Sequence, residues 1–249
     1  MRRGPHEALL VTEQTVRRHT PRWRTIFEVG STLVMVALGS ALVWQGRARF
    51  FDSPAAGSAP RDLPVPADPI QIGGSAIVGV ATARVAIVEY SDFECPACGE
   101  FARDFKPALL REYVEKGRAV LVFKNFPLPR HSRAPGAAEA AWCAARQGQF
   151  WEMHDRLFTL PVKLSDADLQ AAAGEVGLDL AAYRSCRAGS EAAQHVQADA
   201  SEAFALRVPA TPMFYFGRVT PDRRVRVSDA MAGARSMKAF RAVLDRLLK

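Results

Sequence analysis

Cys95-Pro96-Ala97-Cys98 is the segment of this chain whose residue types and spacing can do chemistry. Two cysteines at this spacing can close into a disulfide or open into a dithiol. An apolar run, Val85-Ala86-Ile87-Val88, lies just ahead of them. Pro96 suits the first turn of a helix, where its missing N–H costs little. The pair is therefore expected at the end of a strand and the start of a helix. A helix start supplies unpaired backbone N–H groups and the positive end of the helix dipole, and both stabilise a thiolate. Cys95 then becomes the exchanging sulfur and Cys98 the resolving one. Zinc is the competing use of such a pair. Structural zinc takes four ligands, often as two close pairs, and the remaining cysteines, Cys143 and Cys186, stand apart. Neither a metal nor an organic cofactor is expected.

Two further positions bear on this centre. Glu89 lies on the strand ahead of the motif. It either reaches beneath Cys98 as a proton acceptor or is an exposed strand residue; pattern leaves both open. Thr211-Pro212 stands directly before Met213-Phe214-Tyr215-Phe216. A proline cannot donate to a strand ladder, so either a cis Thr–Pro bond or an ordinary trans turn fits there. A cis bond would leave backbone groups free to pair with an extended peptide. His131, His154 and His195 lack short ligand spacing and read as packing or surface residues, as do Trp142 and Trp151.

The elements that position these residues follow from periodicity. Arg84 to Tyr90 and Ala119 to Lys124 have strand character, and Phe101 to Glu115 between them is helical. That order requires a right-handed crossover and parallel pairing. From Ala134 to Leu206 the composition turns Ala-rich with helical spacing, which predicts four short helices broken at Gly148, Gly174, Gly177 and Gly189. Ser165-Asp166-Ala167-Asp168 offers one N-cap. Strand signal returns at Met213 to Phe216 and Val225 to Val227, joined by a turn holding Gly217, Pro221 and Asp222. Ser236 to Leu248 is an amphipathic helix with Phe240, Val243, Leu244, Leu247 and Leu248 on one face.

The N-terminal part has another character. Ile26 to Trp44 is apolar or small apart from Glu28, close to the length a helix needs to cross ~30 Å of hydrocarbon. Arg17, Arg18, Arg22 and Arg24 precede it, against Arg47 and Arg49 after it. The predicted organisation is a cytoplasmic tail over 1–24, an uncleaved transmembrane anchor over 25–45 and a Pro-rich linker over 46–69. A folded unit over 70–249 then lies outside the cytoplasm, in an oxidising space such as the bacterial periplasm. The net charge of +7 does not imply nucleic-acid binding. Basic and acidic residues are mixed from Gln71 onward, and Arg223-Arg224-x-Arg226 reads as a solvated hairpin face.

Four stretches carry a family resemblance, in consistent order from about Gly79 to the C-terminus: Glu89-Tyr90-Ser91-Asp92-Phe93-Glu94-Cys95-Pro96-Ala97-Cys98, Phe126-Pro127-Leu128, Gln147-Gly148-Gln149-Phe150-Trp151-Glu152-Met153-His154-Asp155-Arg156-Leu157-Phe158 and Val208-Pro209-Ala210-Thr211-Pro212-Met213-Phe214. They resemble the DsbA-like thiol–disulfide oxidoreductases. The resemblance implies an α/β thioredoxin fold with an all-helical insertion at about 132–206, behind the N-terminal transmembrane helix. It implies Cys95 as nucleophile, Cys98 as its partner, Glu89 as buried acid and a cis Pro212, with Thr211, Pro96 and Ala97 beside the substrate. Ala210 departs from the glycine common before the cis proline. Two cysteines in an oxidising compartment, Cys143 and Cys186, then suggest a structural disulfide, a second bridge that some members carry. The implied partners are thiols and disulfides of exported proteins and a membrane partner that reoxidises or reduces the site. A disulfide-forming oxidase is the first expectation. A reductase or isomerase stands beside it, as does a non-catalytic anchored module that binds peptides or a metal chaperone.

Overall fold

The computed structural model describes residues 63–160, 164–233 and 236–249, all within the compact unit Arg61–Lys249. The predicted tail, the transmembrane anchor and most of the linker lie outside the described residues. No helix among the described residues is long and apolar enough to cross a membrane.

The described residues build one six-stranded sheet. Its strands are β1 (Ile70–Gln71), β2 (Ala76–Val78), β3 (Val85–Ser91), β4 (Ala119–Asn125), β5 (Met213–Val219) and β6 (Arg224–Ala232), in the order β1-β6-β5-β3-β4-β2. Only β3 and β4 pair in parallel, Val85 opposite Ala119 through Ser91 opposite Asn125. Both strands are buried along their full length, which is why they read as continuous apolar runs. Residues 96–114 form the crossover between them, helix α1. The short β1 and β2 pair antiparallel to β6 and β4 at the two edges; neither has a sequence signal.

Helix α1 is not uniform. It is α-helical over Pro96–Glu100 and Lys106–Leu109 and widens into π-helical turns over Phe101–Phe105 and Leu110–Val114. Pro107 has no N–H to return to the preceding turn, and the first widening sits just before it. In the second, the Glu115 N–H donates to the Leu110 carbonyl at 2.9 Å. One sheet face, with Val85, Ile87, Phe214 and Phe216, packs on α1 and on α7 (Met237–Leu247) through Phe101, Leu109, Tyr113 and Phe240.

Among the described residues five helices, not four, lie between β4 and β5: α2 (Ala134–Ala145), α3 (Phe150–Leu157), α4 (Asp166–Val176), α5 (Leu180–Ala188) and α6 (Glu191–Ala205). Gly148, Gly177 and Gly189 fall at helix boundaries, but Gly174 sits inside α4 and breaks nothing. An exposed helical glycine costs only about 1 kcal/mol relative to alanine. The helix instead ends at Gly177, whose φ of 85° is left-handed. Ser165 caps α4 in a reciprocal box with Asp168. Gly217 lies not in the hairpin turn but within β5, at a register irregularity against β6. A side chain there would meet the Arg226 carbonyl oxygen at 2.1 Å, so only glycine fits. The turn itself, at Thr220 to Arg223, is closed by Thr220 N–H to the Arg224 carbonyl at 2.8 Å.

Helix α6 is fastened to the sheet by a buried charge network. Lys124 Nζ lies 3.1 Å from Asp199 Oδ1 and 3.0 Å from Glu202 Oε2. Tyr90 OH donates to Glu202 at 2.7 Å, and Asn125 donates both its backbone N–H and its Nδ2 to Asp199 Oδ2. Removing the Lys124 ammonium would leave the buried Asp199 carboxylate and the half-buried Glu202 without their shared lysine partner. Lys124→Met is expected to lower the unfolding free energy by about 3 kcal/mol. Urea titration of the full chain measures this, and an unchanged midpoint contradicts it.

Candidate active site

The site forms where β3 runs out and α1 begins. Cys95 is the N-cap of α1 in extended backbone, with Pro96 at the first helical position. The Cys95 N–H donates to the Asp92 carbonyl at 3.0 Å, and its own carbonyl accepts from Gly99 N–H at 3.1 Å. This clamp aims the Cys95 sulfur across to the segment before β5. There the Thr211–Pro212 bond is cis, and Cys95 Sγ donates to the Thr211 carbonyl at 3.3 Å. Pro96, Ala97, Thr211 and Pro212 thus border Cys95. Both Cys95 and Cys98 are free thiols here, and Cys98 is fully enclosed.

The two thiols sit in opposite electrostatic surroundings. Cys95 is lowered to about 5, first by the Cys98 thiol donating to it, working against its own burial. The Thr211 hydroxyl and the backbone N–H groups of Cys98 and Ala97 add to this. Cys98 is pushed well above the usual thiol range by burial, then by the hydrogen bond and negative charge of Cys95, with Glu89 contributing. The pair therefore carries one charge, and Cys95 holds it.

Glu89 occupies the row of β3 that faces α1, between Phe123 of β4 and Phe214 of β5. It is fully buried. Neither carboxylate oxygen makes a hydrogen bond of good geometry. Burial pushes its pKa up to about 7, against the Ser91 hydroxyl and the Lys106 charge, which favour ionisation, while Cys95 raises it further. A carboxyl group poised near neutrality beside a high-pKa thiol can take up or return one proton.

Sequence patterns did not single out several supporting residues. Asp92, entirely buried, accepts from Glu94 N–H and Leu128 N–H at 2.7 Å and pairs with His131 Nδ1 at 2.7 Å. Glu94 Oε2 accepts from Ala134 N–H at the start of α2. The motif loop is thereby tied to the loop after β4. His154 is buried in an aromatic cage of Phe93, Phe123, Phe150, Trp151 and Phe158, and burial holds its pKa down at about 4. Its Nδ1 pairs with Asp155. Lys106 is 3 % exposed and pairs with Asp155 as well. It falls four residues after Ala102 and three before Leu109, on the buried stripe of α1. A lysine at core spacing is a readable sign of a buried partner. Cys143 and Cys186 are joined by a disulfide that links α2 to α5 within the helical segment, separate from the Cys95–Cys98 pair.

A protein family described as thioredoxin matches residues 71–244. Among solved structures, alpha-DsbA1 of Wolbachia pipientis is similar at a TM-score of 0.63 and 24% identity, covering 72% of this chain and 93% of that one. BdbD from Bacillus subtilis is similar at 0.61 and 20% identity, covering 73% and 98%. These likenesses establish the fold. A 155-residue stretch is 39% identical to a Na(+)/H(+) antiporter, NhaA 3 of Salinispora tropica, covering 62% of this chain and 23% of that protein. The chain thus spans about a quarter of the length of the curated relatives it matches.

The raised pKa of Glu89 fixes the sign of its effect on stability. Its charge is disfavoured only in the folded state, so it costs nothing below about pH 4.5 and progressively more as pH rises through about 7. Glu89→Gln removes that cost, which is about 3 kcal/mol at pH 8. Urea unfolding of reduced variant and parent should show their difference growing between pH 4 and pH 8 by about that amount. A difference independent of pH contradicts the assignment.

Proposed function

The chain belongs to the thioredoxin family, with the fold of its DsbA-like members, and we propose that it is a membrane-anchored periplasmic thiol–disulfide oxidoreductase that forms disulfides in exported proteins. The observation that carries this reading is the opposed pair of thiols. A Cys95 thiolate stabilised at the helix start is a good leaving group, and it favours the reduced enzyme, which makes the Cys95–Cys98 disulfide oxidising.

In the proposed reaction a substrate thiolate attacks Cys95 Sγ of the oxidised pair. A substrate–Cys95 bond forms, the Cys95–Cys98 bond breaks, and Cys98 leaves as a thiolate. Glu89, fully buried beside it, supplies the proton that Cys98 needs in that low-dielectric setting. A second substrate thiolate then attacks the substrate sulfur of the mixed disulfide and expels the Cys95 thiolate. The substrate has lost two electrons and the Cys95–Cys98 pair has gained them. A membrane partner restores the disulfide in a second exchange. Backbone groups next to Pro212 hold the substrate strand, the Thr211 carbonyl being already within reach of Cys95 Sγ.

The anchor proposed over 25–45 would keep the site near the membrane, and the Pro-rich stretch after it would act as a semi-stiff spacer. The test is covalent trapping. In a periplasm-containing host, full-length Cys98→Ser should accumulate mixed disulfides with exported proteins through Cys95, while Cys95→Ser should trap none. Equal trapping by both variants, or by neither, contradicts the proposal.

A further inference from the structure

The same buried pocket holds a cation that the exchange reaction does not itself require. Lys106 lies on the stripe of α1 that carries Cys98, Phe101, Ala102 and Leu109 and packs on the sheet face from which Glu89 projects. A lysine only 3 % exposed must be compensated. The hydrogen-bonded compensation comes from Asp155 on α3, in the helical segment, and from the face of Trp151, whose ring centre is 5.2 Å from Lys106 Nζ. Glu89 makes no good hydrogen bond and feels Lys106 through space. Asp155 is itself held by His154 Nδ1 at 2.7 Å, and its side chain remains 57 % exposed.

We infer that Lys106 is a positioning residue for proton transfer, an ammonium group that Asp155 of the helical segment holds and partly neutralises, and that thereby sets how readily Glu89 takes the proton of Cys98. This rests on the reading of Glu89 as the group that gives Cys98 its proton in the exchange and takes it back when the disulfide is restored. The groups that act on Glu89 are Ser91 on its own strand and Cys95, Cys98 and Lys106 from α1. Its ladder neighbours Phe123 and Phe214 carry no charge. Beyond Lys106 stand Asp155 and His154 of α3, and His154 is held neutral by burial. Lys106 is thus the single cation in that set, and Asp155 governs how much of its charge reaches Glu89. The fold gives the helical segment a direct electrostatic hand on the chemistry of the thioredoxin unit.

Opposite changes at the two residues must therefore move Glu89 in opposite directions. The readout is the pH titration of the Glu89 carboxyl carbon in the reduced full chain, labelled with 13C-glutamate and assigned by its loss in Glu89→Gln. Lys106→Met should raise the midpoint by a pH unit or more, about a tenfold change in proton affinity. Asp155→Asn should lower it, and Lys106→Arg should keep it near the parent value. A midpoint unmoved in both Lys106→Met and Asp155→Asn, or moved the same way in both, overturns the inference. If Lys106→Met does not fold, Asp155→Asn decides alone: a fall supports the inference and no change refutes it. No substrate is present, so failed mixed-disulfide trapping would leave this outcome standing.

Discussion

Cys95, Cys98 and Glu89 share one buried volume of low dielectric, and that volume does not hold three negative charges. The end of β3 and the start of α1 resolve the competition by position. Cys95 stands at the helix N-cap, where the Cys98 thiol and the backbone N–H groups of Ala97 and Cys98 favour its thiolate, so the charge settles there. Cys98, one turn further in, is kept protonated first by burial and then by the Cys95 charge, against the Ser91 hydroxyl. Glu89 beneath them stays near the balance point because burial pushes its proton on and Lys106 pulls it off.

The surrounding fold keeps that arrangement rigid. Parallel pairing of β3 with β4 fixes where α1 starts, since the crossover must leave one strand and return beside it. Antiparallel pairing of β3 with β5 brings the cis Thr211–Pro212 segment opposite the same strand end, where its carbonyl meets Cys95 Sγ. Two of the ion-pair clusters that anchor the helical segment are Lys124 with Asp199 and Glu202 and Lys106 with Asp155. The first anchor lies on the sheet face away from α1, where Tyr90 of β3 also reaches Glu202. The second reaches into the site. Both use a lysine of the thioredoxin unit and carboxylates of the helices.

Legibility in the sequence followed burial. β3, β4 and β5 are buried along most of their length and stood out as apolar runs, and the Cys95–Cys98 pair announced itself by spacing. β1 and β2 have two and three residues and no periodicity to read. The extra helix and the positions of Gly174 and Gly217 were hidden for a different reason. A glycine marks conformational freedom, and only its neighbours decide whether a helix passes through it or a carbonyl presses on it. Glu89 and Pro212 were ambiguous by pattern and were favoured through family resemblance. Lys106 is hard to read although its spacing places it in the core, because lysine is rarely buried without a partner. Its partner lies 49 residues away, a distance no local pattern spans.

The account stands on Cys95 holding the charge of the pair. Thiolate absorbance of the reduced full chain, followed against pH with Cys95→Ser subtracted, measures this directly. A titration centred at about 5 is predicted. A midpoint near 9, that of an ordinary cysteine, would contradict the central claim.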